Sequence, residues 1–295
     1  MKIARFQHAD GVQLGLVDTD RGTIRTLAGD PGSFDPMIAV IEAHHAGRAP
    51  VATGHEIPLA EVRLLHPIAR PGKNVICVGK NYREHAEEFS RSGFDSSAGR
   101  EAQAVPDAPI VFSKAPCALA GARDDIVVPA ALSGSVDYEG ELGVVIGRRG
   151  RAITAANAYD HIFGYAVIND VTVRDLQSRH KQWLLGKSLD TFCPMGPWLV
   201  TGDELDPEDL ELSCWVNDEL RQQANTRDLI FDIPTIIETV SMSMTLEAGD
   251  IIATGTPAGV GIGYDPPKFL RHGDVVRVAI RGIGEIENKL VVNPA

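Results

Sequence analysis

In Asp137-Tyr-Glu-Gly-Glu-Leu-Gly-Val-Val-Ile-Gly147, Glu139 and Glu141 flank a single glycine at the head of an apolar run. A strand sends every second side chain to the same face, so these two carboxylates stand side by side and repel unless a positive group lies between them. The commoner fate of such a pair is a solvated strand face. Further on, Tyr165-Ala-Val-Ile-Asn-Asp170 is an apolar strand that ends in an acid. A carboxylate there can meet the Glu pair of a neighbouring strand. Three carboxylates without His or Cys suit a hard, oxygen-preferring ion such as Mg²⁺ or Mn²⁺, and they suit zinc poorly.

Three more segments carry side chains that could act beside such an ion. Gly79-Lys-Asn-Tyr-Arg-Glu-His-Ala-Glu-Glu88 places His85 and Glu88 three apart, on one face of a helix. A carboxylate there can fix the imidazole tautomer, as a general base requires, although the same pair on a surface helix simply faces water. Lys187, in Leu185-Gly-Lys-Ser-Leu-Asp190, sits between a helix end and a turn-rich loop, and spacing leaves open whether it faces water or an anion. Thr254-Gly-Thr-Pro-Ala-Gly-Val-Gly-Ile-Gly263 follows an apolar strand but lacks the Gly-Lys-Ser/Thr ending of a phosphate loop. It reads as a plain turn or as a cradle of backbone N–H groups for a carboxylate.

The elements that position these residues are mostly short strands. Runs at 2–6 and 12–17, with a helix over 37–46, form a first segment with no catalytic cluster. Residues 47–73 hold Pro50, Pro58, Pro67 and Pro71 and favour extended connection, which puts a boundary between a small N-terminal α/β domain (1–65) and a larger one (66–295). Beyond it, a strand over 74–78 leads to a helix over 81–90 capped by Asn81. Residues 90–107, rich in Ser, Gly, Asp and Ala, form a loop or a mobile lid. Strands then dominate (110–112, 126–128, 141–146, 165–168, 198–200, 212–216, 251–254, 275–280, 284–292), with helices over 171–181 and 233–244. The expected class is α+β with a β-rich core of mixed strands.

Composition excludes several functions. With 295 residues, 44% of them hydrophobic, the chain can bury a sizeable core. A net charge of -12 opposes binding to a phosphate backbone, so nucleic acid is not an expected partner. No apolar run reaches bilayer length and the polar N-terminus forms no signal core, so the expected location is the cytoplasm, away from membranes. The four cysteines lie far apart and indicate neither zinc knuckle nor disulfide framework.

Taken in order, Gly79-Lys-Asn-Tyr with His85 and Glu88, Tyr138 to Val145, Gly164-Tyr through Asp170 with Arg174 and Gln177, Gly186-Lys-Ser through Cys193-Pro, and Gly255-Thr-Pro-Ala-Gly-Val-Gly261 resemble the fumarylacetoacetate hydrolase family over roughly residues 65–293. The resemblance implies a β-roll or barrel-like core, a homodimer, and one Mg²⁺ or Mn²⁺ per chain held by Glu139, Glu141 and Asp170. It implies that His85 and Glu88 activate water and that Arg174, Gln177 and Lys187 contact substrate oxygens. Thr256, with Gly255 beside it, would help hold a substrate carboxylate. The leading expectation is hydrolysis of a small anionic 2,4-dioxo acid, of acylpyruvate or fumarylpyruvate type. Water activated by His85 attacks C4, Lys187 stabilises the oxyanion, and pyruvate leaves with a second acid. The alternative is a metal-dependent decarboxylase or tautomerase of a 3-oxo diacid such as oxaloacetate. The remaining reading is a non-catalytic protein that keeps the fold.

Overall fold

The strands Gly140–Ile146, Ile162–Asn169 and Cys193–Thr201 are buried along their whole length. Strands covered on both faces need apolar or small residues at every position, and these sequences supply them. At Gly164, a side chain would run into the backbone of Val200 on the next strand. The computed structural model describes residues 1–9, 11–28, 35–94 and 104–294.

These three strands sit at the centre of a 12-stranded sheet. On one side, Lys2–His8 pairs antiparallel with Cys193–Thr201 and is followed by the meander Gly11–Asp18, Thr23–Leu27 and Ala52–Pro58. On the other, Gly140–Ile146 is followed by Ile251–Ala253, Val75–Gly79 and Ile110–Lys114. A 5-stranded sheet made of Glu219–Asn225, Glu211–Val216, Val275–Ile280, Gly284–Asn293 and Ile126–Pro129 packs against this core. The architecture is α+β and strand-rich, as the sequence leads one to expect.

Helices close the gaps. Pro36–His45 starts at Asp35, whose carboxylate accepts from Met37 N at 2.8 Å, and Ile233–Ser243 starts at Asp232, which accepts from Thr235 N. Each has proline in its first turn, where the missing N–H costs nothing.

Three local expectations change. Residues 47–73 are not all connection, because Ala52–Pro58 and Arg63–Leu65 are strands. Ala52–Pro58 lies at a sheet edge with Pro58 as its last residue, where a proline breaks no ladder. The helix expected from Asn81 spans Arg83–Arg91, and Asn81 is not its cap. Instead the Asn81 amide donates to Phe231 O and Thr254 O and accepts from Phe231 N, tying three segments together below the site. The helix expected over 171–181 opens with the short strand Thr172–Val173 and is helical over Arg174–His180. Half of the span 90–107 expected to form a loop or lid, residues 95–103, lies outside the described residues.

Candidate active site

Strand register builds the centre of the site. Gly140 pairs with Asn169 and Glu141 with Ile168, so the start of one strand meets the end of the next. Glu139 and Asp170, just outside the paired residues, are thereby brought together. Oxygens of Glu139, Glu141 and Asp170 lie within 4.8 Å of one another, and all three residues are buried. The solvated-face alternative for Glu139 and Glu141 is therefore excluded.

Buried carboxylates need compensation. Lys187 Nζ donates to Glu139 Oε2 at 2.6 Å and to Asp170 Oδ2 at 2.8 Å. Arg174 donates from Nε to Asp137 Oδ2 at 2.9 Å and pairs through Nη2 with Glu139 Oε1 at 2.6 Å. Lys114 Nζ donates to Asp170 Oδ1 at 2.6 Å and to Val171 O at 2.9 Å. Glu141 differs: it accepts from Gly255 N at 2.8 Å and has no ion-pair partner among the described residues.

The two glutamates consequently diverge. Burial works against the charged form of Glu139, but Lys187, Arg174 and His85 outweigh it and hold the carboxyl at about 2. For Glu141, burial and the neighbouring Asp170 and Glu139 act in the same direction and push its pKa well above the carboxylate range. A site that leaves one of several buried carboxylates short of positive charge fits a divalent cation, and three oxygen donors fit a hard one. Glu139, Glu141 and Asp170 are the residues that would hold it.

The second wall comes from helix Arg83–Arg91. His85 and Phe89 are buried on its inner face, and His85 Nδ1 lies 3.2 Å from Glu88 Oε2. An ionised carboxylate accepts from Nδ1–H, which leaves the Nε2 lone pair for the pocket. Glu88 Oε1 also accepts from Gly259 N at 3.1 Å, so the dyad is fastened to the glycine-rich loop.

That loop cradles carboxylates belonging to the protein itself. Gly255 N serves Glu141, Gly259 N serves Glu88, and Gly261 N and Ile262 N serve Asp137. Thr256 lines the pocket, donating its hydroxyl to Gly140 O and accepting from Gln222 Nε2. Gln177 lines the pocket too and accepts from Arg174 Nη1 at 3.1 Å.

The structure thus draws His85, Glu88, Glu139, Glu141, Asp170, Arg174, Gln177, Lys187, Gly255 and Thr256 into one region. Sequence spacing passed over Lys114, Asp137, Lys80 and Phe89. Lys114 ends the strand Ile110–Lys114 and gives no sign in sequence of being fully buried. Asp137 stands two residues before Glu139, and its alternation with the Glu pair was the available signal. A roomier cleft of about 740 Å³, with Tyr159, Tyr165 and Glu208 in its wall, shares no lining residue with this pocket. No second grouping of metal-ligating side chains accompanies it among the described residues. None of the helices among the described residues is long and apolar enough to cross a membrane.

Known proteins with similar sequence and structure bear on this geometry. Residues 74–291 match the model described as fumarylacetoacetate (FAA) hydrolase C-terminal, and residues 1–67 match Rv2993c-like, N-terminal. Oxaloacetate tautomerase YisK of Bacillus subtilis is 52% identical over 79% of this chain and 74% of its own length. The mitochondrial oxaloacetate tautomerase FAHD2B of Bos taurus is 42% identical over 99% of this chain and 92% of its own. A maleylpyruvate hydrolase from Sphingobium sp. SYK-6, solved with manganese(II) and pyruvate, superposes with a TM-score of 0.78 at 35% identity, over 99% of this chain and 100% of that one.

These relatives overturn the leading expectation of acylpyruvate-type C–C hydrolysis. The more identical ones are tautomerases of a 3-oxo diacid, the alternative raised from the sequence. The motifs could not separate the two, because both reactions use an ion-stabilised enolate and a nearby base.

Proposed function

This chain belongs to the fumarylacetoacetate hydrolase family, and from that premise we propose that it is a metal-dependent oxaloacetate tautomerase. The supporting observation is the buried triad Glu139, Glu141 and Asp170, with Glu141 short of positive charge, beside the His85–Glu88 dyad. The names of the relatives supply the substrate.

Tautomerisation moves one proton between the enol oxygen on C2 and the carbon C3. No C–C bond breaks and no water is consumed. Mg²⁺ or Mn²⁺, which Glu139, Glu141 and Asp170 would hold, would supply Lewis acidity that favours the enolate. His85, through Nε2, takes the proton from oxygen and returns it to carbon, or the reverse, so one imidazole suffices. Glu88 holds the tautomer that leaves Nε2 free and steadies the ring when it is charged. Arg174 and Gln177 line the pocket and orient substrate oxygens. Lys187 adds positive charge beside the developing enolate, and Thr256 borders the carboxylate end. Phe89, Trp183, Val260 and Ile262 form an apolar cluster that limits water at the reacting carbon.

The deciding assay adds enol oxaloacetate to the Mn²⁺-supplemented protein and follows loss of enol absorbance. The expected result is a rate well above the ion alone that disappears with chelator. A rate equal to that of free Mn²⁺ would refute the proposal.

A further inference from the structure

Tyr165 stands on the central strand Ile162–Asn169, is 1% exposed, and makes no side-chain hydrogen bond among the described residues. A phenol buried to this degree usually finds a partner. Its ring borders the cleft of about 740 Å³ that lies apart from the carboxylate triad. Burial and the neighbouring carboxylates of Asp206 and Glu208 push the Tyr165 pKa well up, so the hydroxyl stays neutral. Its oxygen lone pairs are left for a donor that enters the cleft.

The surroundings of that hydroxyl favour positive charge. Asp203, Asp206 and Glu208 lie in the wall of the cleft, and no lysine or arginine lies there with them. Glu208 Oε1 accepts from the Tyr159 hydroxyl at 2.6 Å, which anchors the side chain. An anion would meet repulsion from three carboxylates. A single metal ion is no better matched, because among the described residues only the triad Glu139, Glu141 and Asp170 gathers its oxygens closely enough. Carboxylates spread along a cleft suit a cation whose charges are themselves spread out. The rings of Phe163, Tyr159 and Tyr165 supply apolar surface for a methylene chain and π-density for an ammonium group.

We propose that this cleft binds a small aliphatic di- or polyamine, one ammonium donating to the Tyr165 hydroxyl oxygen and to the carboxylates of Asp206 and Glu208. The methylene chain then lies against Tyr159 and Phe163. The site has the volume of an ordinary small-molecule pocket, and it is separate from the proposed tautomerase chemistry.

The test titrates spermidine into the full chain by calorimetry. Mn²⁺ is bound first so that the triad is filled, and salt at about 0.15 M screens diffuse attraction to the acidic surface. Wild type is compared with Tyr165→Phe, which removes a hydroxyl that has no hydrogen bond, and with Glu208→Gln, which removes an exposed charge. Melting temperatures confirm that both variants fold. The expected wild type saturates at one spermidine per chain and binds 1,4-diaminobutane more tightly than butylamine. Tyr165→Phe should weaken spermidine at least about threefold and Glu208→Gln about tenfold or more, as for loss of a neutral and of a charged hydrogen-bond partner. Absence of saturable binding overturns the proposal, as do variants that bind as tightly as wild type. Binding that appears only without Mn²⁺ also overturns it, since the amine would then occupy the triad.

Discussion

The strand wall of the pocket and its helix wall hold charge in different ways. Glu139, Glu141 and Asp170 sit at the ends of strands buried on both faces, and Lys114, Arg174 and Lys187 brace Glu139 and Asp170 with short contacts. His85 and Glu88 ride on a helix of nine residues, and Glu88 is tied to the loop by one backbone N–H. The first arrangement fixes a set of oxygen atoms. The second holds one ring by its tautomer and leaves its other nitrogen available. On the proposed function the strands bind and the helix transfers the proton, and variants can break or sharpen that division.

Glu141→Gln should have the largest effect. Mn²⁺ affinity is expected to fall at least about 10³-fold and turnover to vanish, since even residues behind a metal ligand are worth about 10 to 100-fold. In chelator, however, the variant should melt no lower than wild type, because burial and the neighbouring Asp170 and Glu139 already disfavour the charged form of Glu141 and an amide oxygen can still accept from Gly255 N. Glu139→Gln should lower the melting temperature under the same conditions, as Arg174 and Lys187 lose their shared partner. Calorimetry with Mn²⁺ and thermal melts in chelator decide both, and equal destabilisation by the two variants would erase the contrast.

His85→Ala comes next, with kcat for enol conversion expected to drop about 10² to 10⁴-fold. Its Mn²⁺ affinity should stay within a few-fold of wild type. A comparable loss of Mn²⁺ binding would merge the two walls into one unit.

Lys114→Met tests how far the strand wall depends on its braces. Removing one partner of a buried ion pair costs about 3 to 5 kcal/mol, and here Asp170 would keep only Lys187. Denaturant unfolding of the metal-free protein reads this directly. A loss below about 1 kcal/mol, the range of exposed pairs, would mean that Lys187 alone suffices.

The smallest effect is expected from Gly263→Ala. A methyl group there would overlap the Glu88 carboxylate, so the dyad should loosen and kcat fall about tenfold, as for other groups that orient a catalytic side chain. In a Glu88→Ala background the same substitution should cost almost nothing more. Additive losses in this double-mutant cycle would show that the loop acts by another route.

Much of this site was legible in sequence because its parts are local. Glu139 and Glu141 share a strand, His85 and Glu88 share a helical turn, and Asp170 ends an apolar run. The strand-rich class followed from the same short runs. The contacts that give these groups their properties are long-range and leave little trace in spacing. Nothing near Ile110–Lys114 announces that Lys114 meets Asp170, and Asn81 looks like a helix cap while its amide holds Phe231 and Thr254. The glycine loop could be read as a carboxylate cradle, but not as one for Glu141, Glu88 and Asp137. The reaction itself was the least legible feature, since the same carboxylates and imidazole serve cleavage and proton transfer alike.

The seat of Glu88 against Gly263 also bears on how this protein can change over generations. The carboxylate is bonded to a loop residue 171 positions away, and that loop leaves no room for a methyl group at 263 while Glu88 is present. A lineage that keeps the dyad therefore loosens it by accepting an alanine at 263, whereas one that first loses Glu88 is released there. Once an alanine settles at 263, a returning glutamate finds its place filled. The order of mutations matters, and a dyad regained after that step is the looser one.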